Sequence, residues 1–114
     1  MSLTSLEIAK ACREYALDKK AVDPVILDLR EVSTLADYFV ICSGLSDPQL
    51  KAIANGVTLG FKDDHDLRPS AVDGSAVSQW MIIDYGDVLM HIFHENKRSL
   101  YSLEQLWGDA KVVE

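Results

Sequence analysis

The sequence is poor in cysteine and in positive charge. Its two cysteines, Cys12 and Cys42, are too few for a disulfide or zinc framework, and both fit small buried apolar residues in a reduced compartment. Lysine and arginine number 11 against 18 acidic residues, which gives a net charge of -7. That charge argues against direct, sequence-specific nucleic-acid binding, which needs a basic patch, and it is compatible with a basic protein partner.

The sequence also lacks the segments that direct a protein to a membrane or across one. No apolar run approaches the roughly 20 residues that span a bilayer. No signal peptide or arginine-rich transit segment opens the chain. We therefore expect a cytoplasmic protein that does not bind membranes.

What the sequence does contain is an alternation of helix and strand patterns. We expect residues 1–114 to form one domain, with an ordered core over about 1–107 and a loose tail over 108–114. The predicted elements are a helix at 3–20, strands at 25–29 and 38–42, a helix that Ser46 and Gln49 begin with a capping box, an edge strand at 69–72, a hairpin at 80–94, a polar connection at 95–99 and a last helical turn at 102–107. This order predicts an α/β (mixed α+β) fold with a five-stranded mixed sheet flanked by helices.

The hairpin is the most informative segment. Two apolar runs flank the turn-forming residues Asp84-Tyr85-Gly86-Asp87. A two-residue loop at Tyr85 and Gly86 would pair Ile83 with Val88, Met81 with Met90, and Trp80 with His91. The alternative is a three-residue loop with Gly86 left-handed, because a positive φ is unfavourable for tyrosine.

The two faces of this hairpin differ in chemistry, since side chains alternate across a strand. The aliphatic face should cover the core and consists of Met81, Ile83, Val88, Met90 and Ile92. The other face mixes aromatic, acidic and imidazole groups and consists of Trp80, Ile82, Asp84, Asp87, Leu89, His91 and Phe93. It places Asp84 opposite Asp87, which costs up to roughly 1 kcal/mol. We infer that a partner or water surrounds these charges.

Catalytic chemistry has one candidate in this sequence. Asp84 and Asp87, with His91 nearby, are suitable ligands for a divalent metal in nucleotidyl transfer. Structural turn formation beside a binding surface is the other interpretation, and His91 is either an ordinary half-buried histidine or a partner contact. No nucleophile elbow or Ser-His-Asp signature is present. We expect no cofactor, no metal and no enzyme activity, with the metal-dependent nucleotidyltransferase as the alternative.

Several motifs, in order, resemble the ribosomal silencing factor family, also called Iojap-like. They are Asp37-Tyr38-Phe39-Val40-Ile41-Cys42-Ser43-Gly44, Asp73-Gly74, Trp80 to Val88 with His91 and Phe93, and Tyr101-x-Leu103-Glu104-x-Leu106-Trp107. The chain departs from the family's usual pattern at Asp73, where the family usually has glutamate, and at Pro48, Gly56 and Gly60.

The resemblance implies a nucleotidyltransferase-like fold without established transferase activity. It also implies binding to the large ribosomal subunit through ribosomal protein L14, which keeps the small subunit from joining and represses translation, and it suggests a homodimer. The family's partner surface corresponds here to Trp80, Asp84, Tyr85, Gly86 and Asp87, with Met81 adjacent. With His91, these are the expected partner-binding residues.

Overall fold

The computed structural model describes residues 3–101 and 110–113. Its helices and strands are α1 Ser5–Asp18, β1 Val22–Asp28, β2 Tyr38–Gly44, α2 Asp47–His65, β3 Ala71–Ser75, β4 Trp80–Asp84, β5 Val88–His94, α3 Glu95–Tyr101 and β6 Lys111–Val113. They build a sheet with the strand order β3-β4-β5-β2-β1-β6. β2 and β5 run parallel, whereas every other neighbouring pair is antiparallel. The predicted mixed sheet with flanking helices is therefore confirmed.

The described sheet has six strands, one more than predicted. The additional strand, β6, lies in the segment 108–114 that was predicted to be a loose tail. It pairs antiparallel with β1, with Val113 opposite Ile26 and Lys111 opposite Asp28. Three residues are too few to show a strand period, so only the partner strand defines them. The helical turn predicted at 102–107 lies outside the described residues.

The segment after the hairpin is a helix, α3, and the prediction of a polar connection at 95–99 is wrong. The helix follows β5 directly, and the Asn96 backbone N–H donates to His94 Nδ1 at 3.2 Å. Arg98 anchors it to the sheet by donating to the Val22 carbonyl at 3.1 Å and to Ser43 Oγ at 3.0 Å. These long-range bonds favour a helix that has no apolar stripe of its own, which explains why sequence periodicity did not reveal it.

The start of α2 differs in detail from the predicted capping box. Ser46 is the N-cap, and its Oγ accepts from the Gln49 backbone N–H at 3.2 Å. The Gln49 side chain accepts instead from the Leu45 backbone N–H at 2.6 Å and donates to the carbonyls of Lys19 and Lys20 at 3.3 and 2.9 Å. Gln49 thus joins the start of α2 to the end of α1.

α1 and α2 pack together on one face of the sheet. Gly60 lies against the ring of Tyr15, so closely that an added Cβ would come within 2.6 Å of Cε1. Tyr15 in turn contacts Phe61 edge to face, with ring centroids 5.0 Å apart, and donates its hydroxyl to Asp64 Oδ2 at 2.6 Å. The glycine that weakens the helix pattern therefore allows the two helices to approach closely.

The opposite face of the sheet carries a second, smaller cluster of buried side chains. Its members are Leu27, Leu29, Ala36, Phe39, Ile41 and Phe93. Trp80 and Leu89 are partly buried against it. The aromatic face of the hairpin thus lies on the side of the sheet away from α1 and α2. None of the helices in the described ranges combines the length and apolarity needed to cross a membrane.

Candidate functional site

The β4–β5 hairpin carries the predicted site, and its register differs from the predicted one. Trp80 lies opposite Phe93, Ile82 opposite His91, and Asp84 opposite Leu89. The Tyr85 backbone N–H donates to the Val88 carbonyl at 2.9 Å, so the two-residue loop is Gly86-Asp87. The predicted loop at Tyr85 and Gly86 is wrong because it places tyrosine, rather than Gly86 with φ +87°, at the first position. The shift is two residues, so the strand side chains keep their predicted faces, whereas Asp87 lies in the loop instead of on a strand.

Asp84 acts as a turn former. Its Oδ1 accepts from the Gly86 backbone N–H at 2.7 Å, and its carbonyl accepts from the Ser70 backbone N–H at 2.7 Å. Because Asp84 lies opposite Leu89, the predicted like-charge pairing of Asp84 and Asp87 across the strands is wrong. The carboxylate is half-buried on the same face as Trp80.

Asp87 is exposed at the tip of the hairpin. Its carbonyl accepts from the backbone N–H groups of Asp37 and Tyr38 at 2.7 and 3.2 Å, which fixes the turn against the start of β2. Asp37 Oδ2 accepts in turn from Ser5 Oγ at 3.0 Å, at the first residue of α1. The start of β2, which is itself bonded to α1, therefore holds the turn in place and leaves the Asp87 carboxylate in solvent.

Tyr85 and Met81 lie on the helix side of the sheet. The Tyr85 ring is 9 % exposed and packs on Phe61 with centroids 4.7 Å apart. Burial raises the pKa of its phenol, and its hydroxyl has no hydrogen-bond partner among the described residues. Met81 packs partly buried against the same core. A direct contact of either residue with a partner stays a prediction.

Trp80 and His91 form an aromatic group on the other face. The Trp80 indole stacks on Phe93, with centroids 5.0 Å apart and planes 26° from parallel. Its Nε1–H donates to His91 Nδ1 at 3.3 Å. His91 is 5 % exposed and also contacts Phe39 edge to face at 4.7 Å. Loss of hydration lowers the pKa of this imidazole to about 4, so it is neutral near pH 7.

The seven predicted residues therefore occupy three places. Trp80, Asp84 and His91 share one face, Met81 and Tyr85 lie on the other, and Gly86 and Asp87 form the tip. Sequence reasoning missed one member of the first face, which lies on the neighbouring edge strand β3. Asp73 is exposed there, directly opposite Ile82 and thus on the same face.

Asp73 was missed because it lies beside a glycine that interrupts the strand pattern. Gly74 has φ +78°, and an added Cβ would lie 2.1 Å from the Trp80 carbonyl oxygen. Such a close backbone approach requires glycine. Because glycine has no side chain, it interrupts the alternation of apolar and polar residues by which a strand is predicted from sequence. The pairing of β3 with β4 therefore had to come from the structure.

The arrangement of the predicted metal ligands does not favour a metal site. Asp84 Oδ1 accepts a hydrogen bond within the turn, and the His91 ring is buried with its Nδ1 bonded to the indole N–H. In the described part of the chain, no three His, Cys, Asp or Glu side chains are grouped so that they could hold a metal ion. The geometry supports the interpretation of Asp84 as a turn former, and its place beside a binding surface stays a prediction.

Comparison with known proteins identifies the family. The family model described as ribosomal silencing factor during starvation matches residues 2–114. The ribosomal silencing factor of Bacillus subtilis is 40 % identical over 109 residues, covering 96 % of this chain and 89 % of that protein. Its name describes a regulator rather than an enzyme, in agreement with the expectation of no enzyme activity.

Two crystal structures have the same fold. A protein from Chromobacterium violaceum superposes with a TM-score of 0.87 at 30 % identity, covering 93 % of this chain and 88 % of that one. A protein from Bacillus halodurans superposes with a TM-score of 0.81 at 33 % identity, covering 96 % of this chain and 99 % of that one. The predicted family is confirmed, and the chain belongs to the family of ribosomal silencing factors.

Proposed function

We propose that this protein represses translation in the cytoplasm by binding the large ribosomal subunit and preventing the small subunit from joining. The observation that carries the proposal is the family match over residues 2–114. The docking site on the ribosome is ribosomal protein L14. A domain bound at the joining face acts by steric overlap, so inhibition follows occupancy and requires no bond chemistry.

The partner surface is the hairpin face with Trp80, Ile82 and Asp84, extended by Asp73 on β3 and by Asp87 at the tip. Trp80 and Asp84 stand four residues apart on one strand, about 13 Å at the usual rise of a β-strand. An indole at one end with carboxylates at the other is an arrangement typical of interface anchors beside a polar rim. Asp84 and Asp87 would meet basic or amide groups on the partner.

The net charge of the chain supports this choice of partner. At -7 the protein is attracted to a basic surface, which speeds encounter and sets orientation. Exposed charges are screened over about 8 Å at physiological salt. The association rate with the large subunit should therefore fall as salt rises, more steeply than the dissociation rate changes.

The proposal is tested by sedimenting ribosomal subunits with the parent protein and with Trp80→Ala, Asp84→Ala and Asp87→Ala. Burying an indole supplies much apolar area, so Trp80→Ala should weaken binding by about 2 kcal/mol or more, roughly thirtyfold. Asp63→Ala is the matched control for the two aspartates, because it removes the same charge from an exposed position on α2. It should bind and block joining like the parent.

Each variant needs a cooperative melt before its binding is interpreted, because Trp80 and Asp84 also contribute to the fold. If Trp80→Ala, Asp84→Ala and Asp87→Ala all fold, bind and block subunit joining like the parent, the proposed surface is wrong. If the parent itself leaves subunit association unchanged, the proposed function is wrong. A nucleotide with magnesium should leave the thermal midpoint unchanged, whereas a rise would favour the nucleotidyltransferase.

A further inference from the structure

Contacts with Phe93 and His91 hold the Trp80 indole on its sheet face. The ring lies nearly flat on Phe93, at 5.0 Å between centroids. Its Nε1–H, which is the single hydrogen-bonding group of the tryptophan side chain, donates to His91 Nδ1 at 3.3 Å. Stacking fixes the plane of the ring, and the hydrogen bond fixes its rotation within that plane.

The His91 imidazole, which accepts this bond, is a polar ring in a buried, aromatic environment, where it costs stability. His91 is 5 % exposed and lies between the rings of Phe39 and Phe93, at centroid distances of 4.7 and 6.2 Å. Because Nδ1 accepts, the ring proton is assigned to Nε2. Nε2 is buried and has no hydrogen-bond partner in the part of the chain that the structure describes. A buried N–H without an acceptor costs stability.

An apolar ring would pack between the same neighbours without that cost. The one thing an imidazole adds here is the acceptor atom for the indole. The pKa of His91, lowered by burial to about 4, keeps Nδ1 unprotonated and able to accept over the physiological range. His91 was expected to contact a partner, but its burial leaves almost no surface for that.

We infer that His91 is a positioning residue, which binds the Trp80 N–H and holds the indole in the orientation that the partner recognises. This inference rests on the proposed function, since it assigns His91 a role at the same surface. It also defines the chemistry of the contact. With its donor engaged inside the protein, the half-buried indole offers a partner carbon atoms rather than a hydrogen-bond donor. The group that packs there is aliphatic or cationic rather than a hydrogen-bond acceptor.

The test compares two substitutions at one position. His91→Phe keeps a ring of similar size and removes the acceptor. His91→Asn is smaller and keeps an oxygen near the position of Nδ1. If His91 positions Trp80, His91→Phe should melt at or above the parent's temperature and yet bind the large subunit about tenfold more weakly. His91→Asn should melt lower and bind closer to the parent. A purely structural role would make binding follow stability in both.

A second readout does not involve ribosomes. In protein with ¹⁵N-labelled tryptophan, the Trp80 indole N–H signal, assigned with Trp80→Phe, reports its hydrogen bond. His91→Phe should move this signal and speed its exchange with solvent, and His91→Asn should largely restore it. In the parent, ¹⁵N-labelled histidine should show the proton of His91 on Nε2.

The outcomes separate this inference from the proposed function. A proton on Nδ1 of the parent, or an indole signal that His91→Phe leaves unchanged, overturns the positioning role whether or not the protein binds ribosomes. A shifted indole signal with unchanged large-subunit binding overturns its contribution to recognition. If the parent does not bind the large subunit, the proposed function fails, and the indole signal still decides whether His91 orients Trp80.

Discussion

At the scale of single residues, burial sets the properties of Tyr85 and His91, each of which has a buried polar atom without a hydrogen-bond partner among the described residues. Both sit on the hairpin, one on each face of the sheet, and both would be replaceable by apolar rings of similar size. Each should therefore change the free energy of unfolding in a way that substitution by phenylalanine can measure.

His91 makes the stability depend on pH. Its pKa is about 4 in the folded protein, whereas the unfolded chain has the ordinary histidine value of 6.5, so below pH 6.5 the unfolded chain binds a proton that the folded chain does not. The stability that neutral His91 permits is complete above pH 6.5 and is lost as the pH falls toward 4. The loss approaches about 1.4 kcal/mol per pH unit. Urea unfolding at pH 7 and pH 5 should show a fall of roughly 2 kcal/mol in the parent beyond that in His91→Phe. An equal fall in the unfolding free energy of the parent and of His91→Phe would contradict the lowered pKa of His91.

Tyr85→Phe should stabilise the protein. The substitution removes a buried hydroxyl that has no acceptor among the described residues and leaves the ring on Phe61, so we expect a gain of about 1 kcal/mol. Tyr15→Phe is the matched control, because the Tyr15 hydroxyl donates to Asp64 and its removal should be neutral or destabilising. Thermal melts of both variants provide the measurement. A Tyr85→Phe variant that melts higher yet binds the large subunit more weakly would show that the hydroxyl contributes to recognition of the partner.

At the scale of elements, the contact between α1 and α2 distinguishes two glycines that look alike in sequence. A Cβ at Gly60 would lie 2.6 Å from the Tyr15 ring, whereas a Cβ at Gly56 would lie 2.8 Å from Cγ of the flexible Lys19 side chain. Gly60→Ala should therefore destabilise by about 1–3 kcal/mol despite the better helix propensity of alanine. Gly56→Ala should be neutral or stabilising by up to about 1 kcal/mol. Denaturant unfolding measures both, and a stabilising Gly60→Ala would mean that the helices pack less closely.

The elements also show what sequence patterns can predict. Alternation assigned Trp80 and Asp84 to one face and Met81 to the other, because that pattern is a property of the strand alone. The register depends on which residue of the loop adopts a positive φ. Here that residue is Gly86, because glycine tolerates this conformation better than tyrosine. α3 and β6 depend on distant partners, Val22 and Ser43 for Arg98 and Ile26 for Val113. No local pattern contains that information.

At the scale of the whole molecule, we expect the free protein to be a homodimer. The family resemblance suggests dimers, and the apolar side chains of the mixed hairpin face make that face a candidate for the interface. Light scattering from micromolar to millimolar concentrations should give twice the mass of one chain. If the hairpin face forms the interface, the large subunit should compete with the dimer, and Trp80→Ala should weaken both. A monomer mass over the whole range would exclude the dimer.

The parallel pairing of β2 with β5 governs when the chain can fold during its own synthesis. Tyr38 lies opposite Val88, fifty positions later in the sequence, and the ladder continues to Gly44 opposite His94. β2 and β5 are the two central strands of the sheet. Their pairing cannot be completed until residue 94 has been added to the chain. The chain must also lose the entropy of closing this long loop before the contacts between the two strands can stabilise it. A nascent chain that has completed α1, β1, β2 and α2 can form helices and one antiparallel strand pair, but its apolar faces stay uncovered until β5 has been synthesised.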